Sequence, residues 1–123
     1  MTEERRKFGR EGEAAAVRHL KKQGYRILET NFRSSAGEID IIGEHNRSLV
    51  FIEVKTRADL EKGHPAEALT PRKQRKIGQV ANQFLAQYKA GDRTCRFDVV
   101  AITGDPQNPK DWKIEVIQDA FRL

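Results

Sequence analysis

The sequence predicts an α/β protein with one mixed β-sheet and helices on its faces. Two observations carry this. Two strand-like runs, Gly37 to Gly43 and Leu49 to Thr56, are rich in Ile, Val and Phe and are separated by a polar gap, which is the pattern of a hairpin. A helix-periodic segment from Thr70 then lies between the second run and a further strand at Arg96 to Ile102. A strand–helix–strand path makes a right-handed crossover and leaves its two strands parallel. Hairpin and crossover together put antiparallel and parallel pairs in one sheet. At 123 residues the chain is one domain, long enough for a single core.

In chain order, residues 1–7 are polar and basic and are expected to fray. Arg5, Arg6, Lys7 and Arg10 form a small basic cluster, either solvated or a phosphate-contacting arm. From Arg10 to Gln23 the pattern is helical, with Ala16, Val17 and Leu20 on the apolar stripe and Gly24 as the stop. One turn back from Val17 the stripe lands on Glu13, so a carboxylate lies in line with the buried face. It is either a helix N-terminal acid favoured by the macrodipole or part of a site. His19 belongs to the surface. Tyr25 to Arg33 is an outer strand whose imperfect alternation implies a bulge. Ser34-Ser35-Ala36-Gly37 is turn chemistry leading into the hairpin.

Closing the hairpin between Asn46 and Arg47 pairs Asp40 with Glu53, Ile42 with Phe51 and Glu38 with Lys55. Opposed residues share a face. One face is then Ile39, Ile41, Val50, Ile52 and Val54. The other starts with Ile42 and Phe51 and ends in Glu38, Asp40, Glu53 and Lys55. Strands apolar on both sides lie inside a layered protein, so Asp40 and Glu53 meet at the end of a core; a register shift of two would separate them. Opposed, half-buried carboxylates repel each other and are poorly hydrated. Lys55 and water satisfy them in one reading. In the other, their oxygens hold a hard cation, Mg²⁺ or Mn²⁺.

Residues 57–70 show no periodicity and read as a loop bordering that site, with Arg57 and His64 as candidates for phosphate contact or proton transfer. For His64 the plainer alternative is an exposed loop residue. Thr70-Pro71 is an N-cap followed by Pro at the first helical position. The stripe is Ile77, Val80, Ala81, Phe84, Leu85 and Tyr88, with Gly91 as the expected stop. Gln74 extends this stripe toward the site. Arg72, Lys73, Arg75 and Lys76 crowd the first turns, where positive charge opposes the macrodipole unless an anion binds. In the strand Arg96 to Ile102, Asp98 is the lone acid and is expected to buttress a basic side chain. Trp112 to Ile117 alternates like an edge strand, and Phe121 and Leu123 are expected to pin the tail.

Asp40, a hairpin, then Glu53-Val54-Lys55 resembles the D…(D/E)-x-K motif of the restriction-endonuclease-like PD-(D/E)xK nucleases, with Ile39 in place of the usual Pro. The longer string from Gly37 to Arg57, with Gly12-Glu13-Ala14-Ala15-Ala16 upstream and Arg96-Phe97-Asp98-Val99-Val100 downstream, resembles the YraN-like family of small uncharacterised proteins. The resemblance spans nearly the whole chain. It implies a restriction-endonuclease-like core, αβββαβ plus an edge strand. It also implies a cation held by Asp40, Glu53, Glu13 and the backbone carbonyl of Val54. Lys55 would then orient the attacking water or stabilise the phosphorane, with Glu38 holding its ammonium and Gln74 in support. Arg57, Arg72, Lys73, Arg75 and Lys76 would contact the nucleic acid.

The composition agrees with a polyanionic partner: 23 Lys and Arg against 18 acids give a net charge of +5. One cysteine, Cys95, excludes an internal disulfide and fits the cytoplasm. No stretch has the length or apolarity of a membrane span. The function implied is metal-dependent hydrolysis of a nucleic-acid phosphodiester, most simply structure-selective cutting of DNA. Analogy with small junction-resolving nucleases adds a homodimer. Two alternatives stay open at this stage: a non-catalytic nucleic-acid adaptor on the same fold, and a structural subunit with an exposed apolar patch.

Overall fold

A computed structural model describes residues 2–89 and 91–123. Helix α1 spans Glu3–Lys22, strands β1 to β3 span Arg26–Ser34, Gly37–His45 and Ser48–Arg57, helix α2 spans Pro71–Tyr88, and strands β4 and β5 span Cys95–Thr103 and Lys113–Phe121. The five strands form one open sheet in sequence order. β1, β2 and β3 form an antiparallel meander, β3 and β4 are parallel, and β5 returns antiparallel at the edge. The sheet is therefore mixed, and the crossover through α2 makes its parallel pair.

The two helices cover opposite faces. Ala15, Ala16 and Leu20 of α1 pack with Tyr25, Ile41, Val50, Ile52, Val100 and Ile102. Ile77, Val80, Ala81 and Phe84 of α2 pack with Phe32, Ile42, Leu49, Phe51, Val99 and Phe121. At about 25 cal/mol per Å² of apolar surface, these two layers hold the fold together. Gly12 lets α1 approach the sheet, since a Cβ there would collide with the Thr56 methyl. Among the described residues no helix is long and apolar enough to cross a membrane.

The N-terminal segment differs from expectation. Met1 lies outside the described residues, but residues 3–7 are helical. Thr2 caps the helix by accepting from the Arg5 N–H, Glu3 and Glu4 sit in the first turn, and ion pairs such as Lys7–Glu11 tie successive turns. Phe8 supplies the tertiary anchor: it is buried, its ring centroid 5.3 Å from that of Trp112. These terms outweigh fraying of a basic segment.

Local signals in the second half gave mostly the right elements. Thr70 Oγ accepts from the Lys73 N–H and Pro71 opens α2. The helix ends at a left-handed Lys89 instead of at Gly91, which sits in the following turn. Residues 57–70 are not wholly irregular, since Pro65–Ala68 form a 3₁₀ turn. Phe121 is buried, but Leu123 is 65% exposed and only rests against α2, where Gly78 has no side chain to obstruct it.

Candidate functional site

The β2–β3 hairpin closes on Asn46 and Arg47, both with positive φ, as a two-residue turn requires. Its register pairs Ile42 with Phe51 and ends at Ile41 with Ile52. Beyond that pair the two strands part. β2 stays with β1 through Arg33–Glu38, while β3 continues along β4 to Arg57–Thr103. The carboxylate of Asp40 occupies the gap: the Val54 N–H donates to its Oδ2 at 2.8 Å. The Asp40 N–H donates weakly to Glu53 Oε1 at 3.5 Å. In a strand the N–H and C=O of one residue point to the same side, so the Val54 carbonyl faces this gap as well.

The parting has a visible companion in β1. Asn31, between the pairs Thr30–Ile41 and Phe32–Ile39, has φ 54 in the middle of a strand. Regular alternation fails there. Ile39 consequently packs in the α2-side core with Phe32, not with Ile41 on the α1 side as period-two counting predicts. Glu38 still lines the groove with Glu53 and Lys55 but changes partner. Its ion-pair partner is Arg33 on β1, at 3.6 Å, and not Lys55, because β2 has left β3 by that point.

Glu53 is only 9% exposed. Burial first, then the Asp40 charge, pushes its carboxyl up to about 8, against the pull of Lys55. Asp40 is also pushed up, chiefly by burial, with the Val54 N–H and Lys55 opposing. Two acids held together with too few donors resist ionisation together. Glu13 reaches the region from α1. Its Oε1 accepts from Asn31 Nδ2 at 2.8 Å, and burial followed by the Asp40 charge raises its pKa. Among the described residues no three metal-ligating side chains converge on one point, so Asp40 and Glu53 are a pair with Glu13 outside it.

Glu53 and Lys55 open into a groove of about 220 Å³ between the sheet and α2, lined also by Gly37, Glu38, Lys73 and Lys76. Arg72 and Arg75 are exposed on α2 beside it and do not line it. None of Lys55, Arg57, Arg72, Lys73, Arg75 or Lys76 forms a salt bridge among the described residues. Gln74 points elsewhere: its Nε2 donates to the Leu69 carbonyl at 3.0 Å, holding the end of the loop that borders the groove. His64 is likewise engaged structurally. Its Nδ1 accepts from the Ala66 N–H, and its Nε2 lies 2.9 Å from Glu115 on β5. Arg57 stands at the end of β3, where its carbonyl accepts from the Gly104 N–H.

Sequence reasoning missed two features. Asn31 carried only the general tendency of Asn toward left-handed backbone. A buried network running from His45 at the hairpin turn to Asp98 on β4 joins residues far apart in sequence. Asp98, fully buried, accepts from Arg96, from the Tyr25 hydroxyl at 2.6 Å and from the Asp119 N–H, and Arg96 lies 2.9 Å from His45 Nδ1. The expected buttressing by Asp98 is present; Tyr25 and His45, stacked at 4.0 Å, were not foreseen in it.

An open mixed sheet between two helices, with its central hairpin splayed around an acid pair and a lysine, defines the restriction-endonuclease-like class. Residues 12–102 match the model of the Uncharacterised protein family UPF0102, and the chain belongs to that family. It is 50% identical to a UPF0102 protein of Geotalea daltonii, with 94% of this chain and 90% of that one covered. A UPF0102 protein of Prosthecochloris aestuarii is 47% identical over 93% and 92%, and one of Caldicellulosiruptor saccharolyticus 44% over 95% and 98%. These are the YraN-like proteins whose blocks the sequence carries.

Proposed function

We propose that the protein is a metal-dependent nuclease that hydrolyses phosphodiester bonds of nucleic acid, with DNA of defined structure as the substrate class. One observation carries the reading: Asp40 and Glu53, both resisting ionisation, meet where the hairpin opens, and Glu53 faces, with Lys55, a groove bordered by Lys73 and Lys76. A structural role would favour neutral or ion-paired side chains at this place. The donor set fits Mg²⁺ or Mn²⁺, since hard cations take oxygen ligands and Mg²⁺ is commonly held by one or two carboxylates with substrate phosphate completing its shell. Asp40, Glu53 and the Val54 carbonyl would hold it, with Glu13 adding charge nearby. Such an ion, when bound, lowers the pKa of a coordinated water and offsets charge on the phosphate.

The other residues follow from their positions. Lys55 offers an ammonium in the groove to the phosphate oxygens as negative charge builds in the transition state. Lys73 and Lys76 supply charge for the neighbouring phosphates, and the helix N-terminus behind them favours the same sign of ligand. Arg72, Arg75 and Arg57 extend the basic surface around it. Nothing in the groove resembles a base-reading helix or ribbon, so recognition rests on phosphate geometry and branching, not on base sequence.

The test is Mg²⁺ and Mn²⁺ titration against labelled linear, flapped, single-stranded and four-way DNA, with Asp40→Asn beside the parent. Metal-dependent cutting by the parent and its loss in the variant are expected. Salt-sensitive binding without cutting by either protein would replace the nuclease with a nucleic-acid adaptor.

A further inference from the structure

Among the described residues, the other non-glycine residues with positive φ sit where the chain turns, caps a helix or lies near the irregular end of a strand: Asn46 and Arg47 in the hairpin turn, Lys89 at the helix cap and Asp119 near the end of β5. Asn31 is different. Like Asp119 it has paired residues on both sides within its strand, but no register shift accompanies it. Left-handed backbone at such a place persists only where the surroundings enforce it, and it gathers at functional sites.

The Asn31 side chain shows what the conformation serves. Its exposed amide donates to Glu13 Oε1 at 2.8 Å and bridges β1 to α1. Glu13 needs such an anchor. It is a flexible side chain with several rotatable bonds, and the charges of Asp40 and Glu38 both act against its ionised form. Without a donor, that repulsion would turn the carboxylate away to solvent. A hydrogen bond to an ionised acceptor is of the stronger kind.

We propose that Asn31 is a positioning residue: its left-handed backbone aims its amide at Glu13 and holds that carboxylate on the Asp40 side of the site, so that α1 adds negative charge near the cation without joining the Asp40–Glu53 ligand pair. The inference rests on the cation site proposed above. Asn31 touches neither the ion nor the substrate; it acts through Glu13.

The test is a calorimetric titration of the metal-free protein with Mn²⁺ alone, without DNA. It uses the parent, Asn31→Gly, Glu13→Gln, the double variant and Asp40→Asn. Glycine accepts the left-handed backbone, so Asn31→Gly removes the amide while sparing the strand, and its thermal midpoint is expected to match the parent's. Losing an outer partner of a metal site typically weakens metal affinity by about tenfold or more. Asn31→Gly is expected to weaken Mn²⁺ binding by about that factor in the parent, and to have no further effect in the Glu13→Gln background. Parent-like affinity of Asn31→Gly, or an equal loss with and without Glu13, would overturn the inference. A parent that binds no Mn²⁺, or an Asp40→Asn that binds as the parent does, would remove the cation site and this inference with it. Loss in Asp40→Asn with Asn31→Gly unaffected would remove the role of Asn31 alone.

Discussion

Two acids buried on neighbouring strands, Asp98 on β4 and Glu53 on β3, lie one register position apart and are treated in opposite ways. Asp98 is fully buried and receives four hydrogen bonds from the Arg96 side chain, the Tyr25 hydroxyl and the Asp119 N–H, one of the Arg96 contacts being an ion pair at 2.8 Å. At the open end of the hairpin, Glu53 is nearly as buried and has one weak donor at 3.5 Å and a second acid beside it. A buried charge is costly unless paired and hydrogen-bonded. The Asp98 site is complete within the chain. The second is completed only from outside, by protons or by a cation. Burial alone therefore does not separate a structural acid from a functional one; the supply of donors does.

The largest effect expected from this contrast is at Asp98. Asp98→Asn leaves the Arg96 guanidinium without its countercharge, and breaking such a pair costs about 3–5 kcal/mol. Urea unfolding would show it, and the affinity of any folded Asp98→Asn for Mn²⁺ should equal the parent's. At the open end the sign reverses. Glu53→Gln removes a charge that the fold resists, so it is expected to stabilise the metal-free protein at pH 8 by about 1–3 kcal/mol while abolishing the response to Mn²⁺. Destabilisation by Glu53→Gln would mean that its carboxylate is satisfied internally after all.

The pH dependence sharpens the same point. The folded-state pKa of Glu53 is raised from 4.5 to about 8 by burial and by Asp40. Between those values the folded protein holds a proton that the unfolded chain has released, so stability falls as pH rises. This contribution is fully present below about 4.5 and lost through about 8. Thermal midpoints of the metal-free parent should decline over that window. Glu53→Gln should flatten the decline, and saturating Mn²⁺ should offset it. The smallest effect expected is in the groove wall. Lys73→Ala with Lys76→Ala should leave stability nearly unchanged and lower the salt dependence of DNA binding by about one phosphate contact per lysine. An unchanged slope would take the nucleic acid out of this groove.

The contrast was half legible in the sequence. The hairpin register followed from turn length and strand period as far as Ile41 and Ile52, because both rules are local; Asp40 and Glu53, expected to be the next pair, touch across the opening instead. The cap and stripe of α2 were local too, which is why Lys73 and Lys76 fell where they were expected. The opening of the ladder beyond Ile41 and Ile52 was not legible. It goes with a left-handed Asn31 on a third strand, which period-two counting cannot register, and Ile39 and the partner of Glu38 were misplaced for that reason. The Tyr25–His45–Arg96–Asp98 network was hidden by sequence separation: Tyr25 and Asp98 are 73 positions apart. The early turns of α1 were hidden because Phe8 finds its partner, Trp112, only in the folded protein.

The most direct measurement is cleavage of labelled flapped and four-way DNA by the parent and by Lys55→Ala, at an Mn²⁺ concentration that calorimetry shows to saturate each protein. The prediction is that both bind Mn²⁺, the parent cuts and Lys55→Ala does not, since Lys55 serves the phosphate and not the ion. Equal cutting by the two proteins would contradict the role of Lys55, and absence of cutting by a metal-saturated parent would contradict a nuclease.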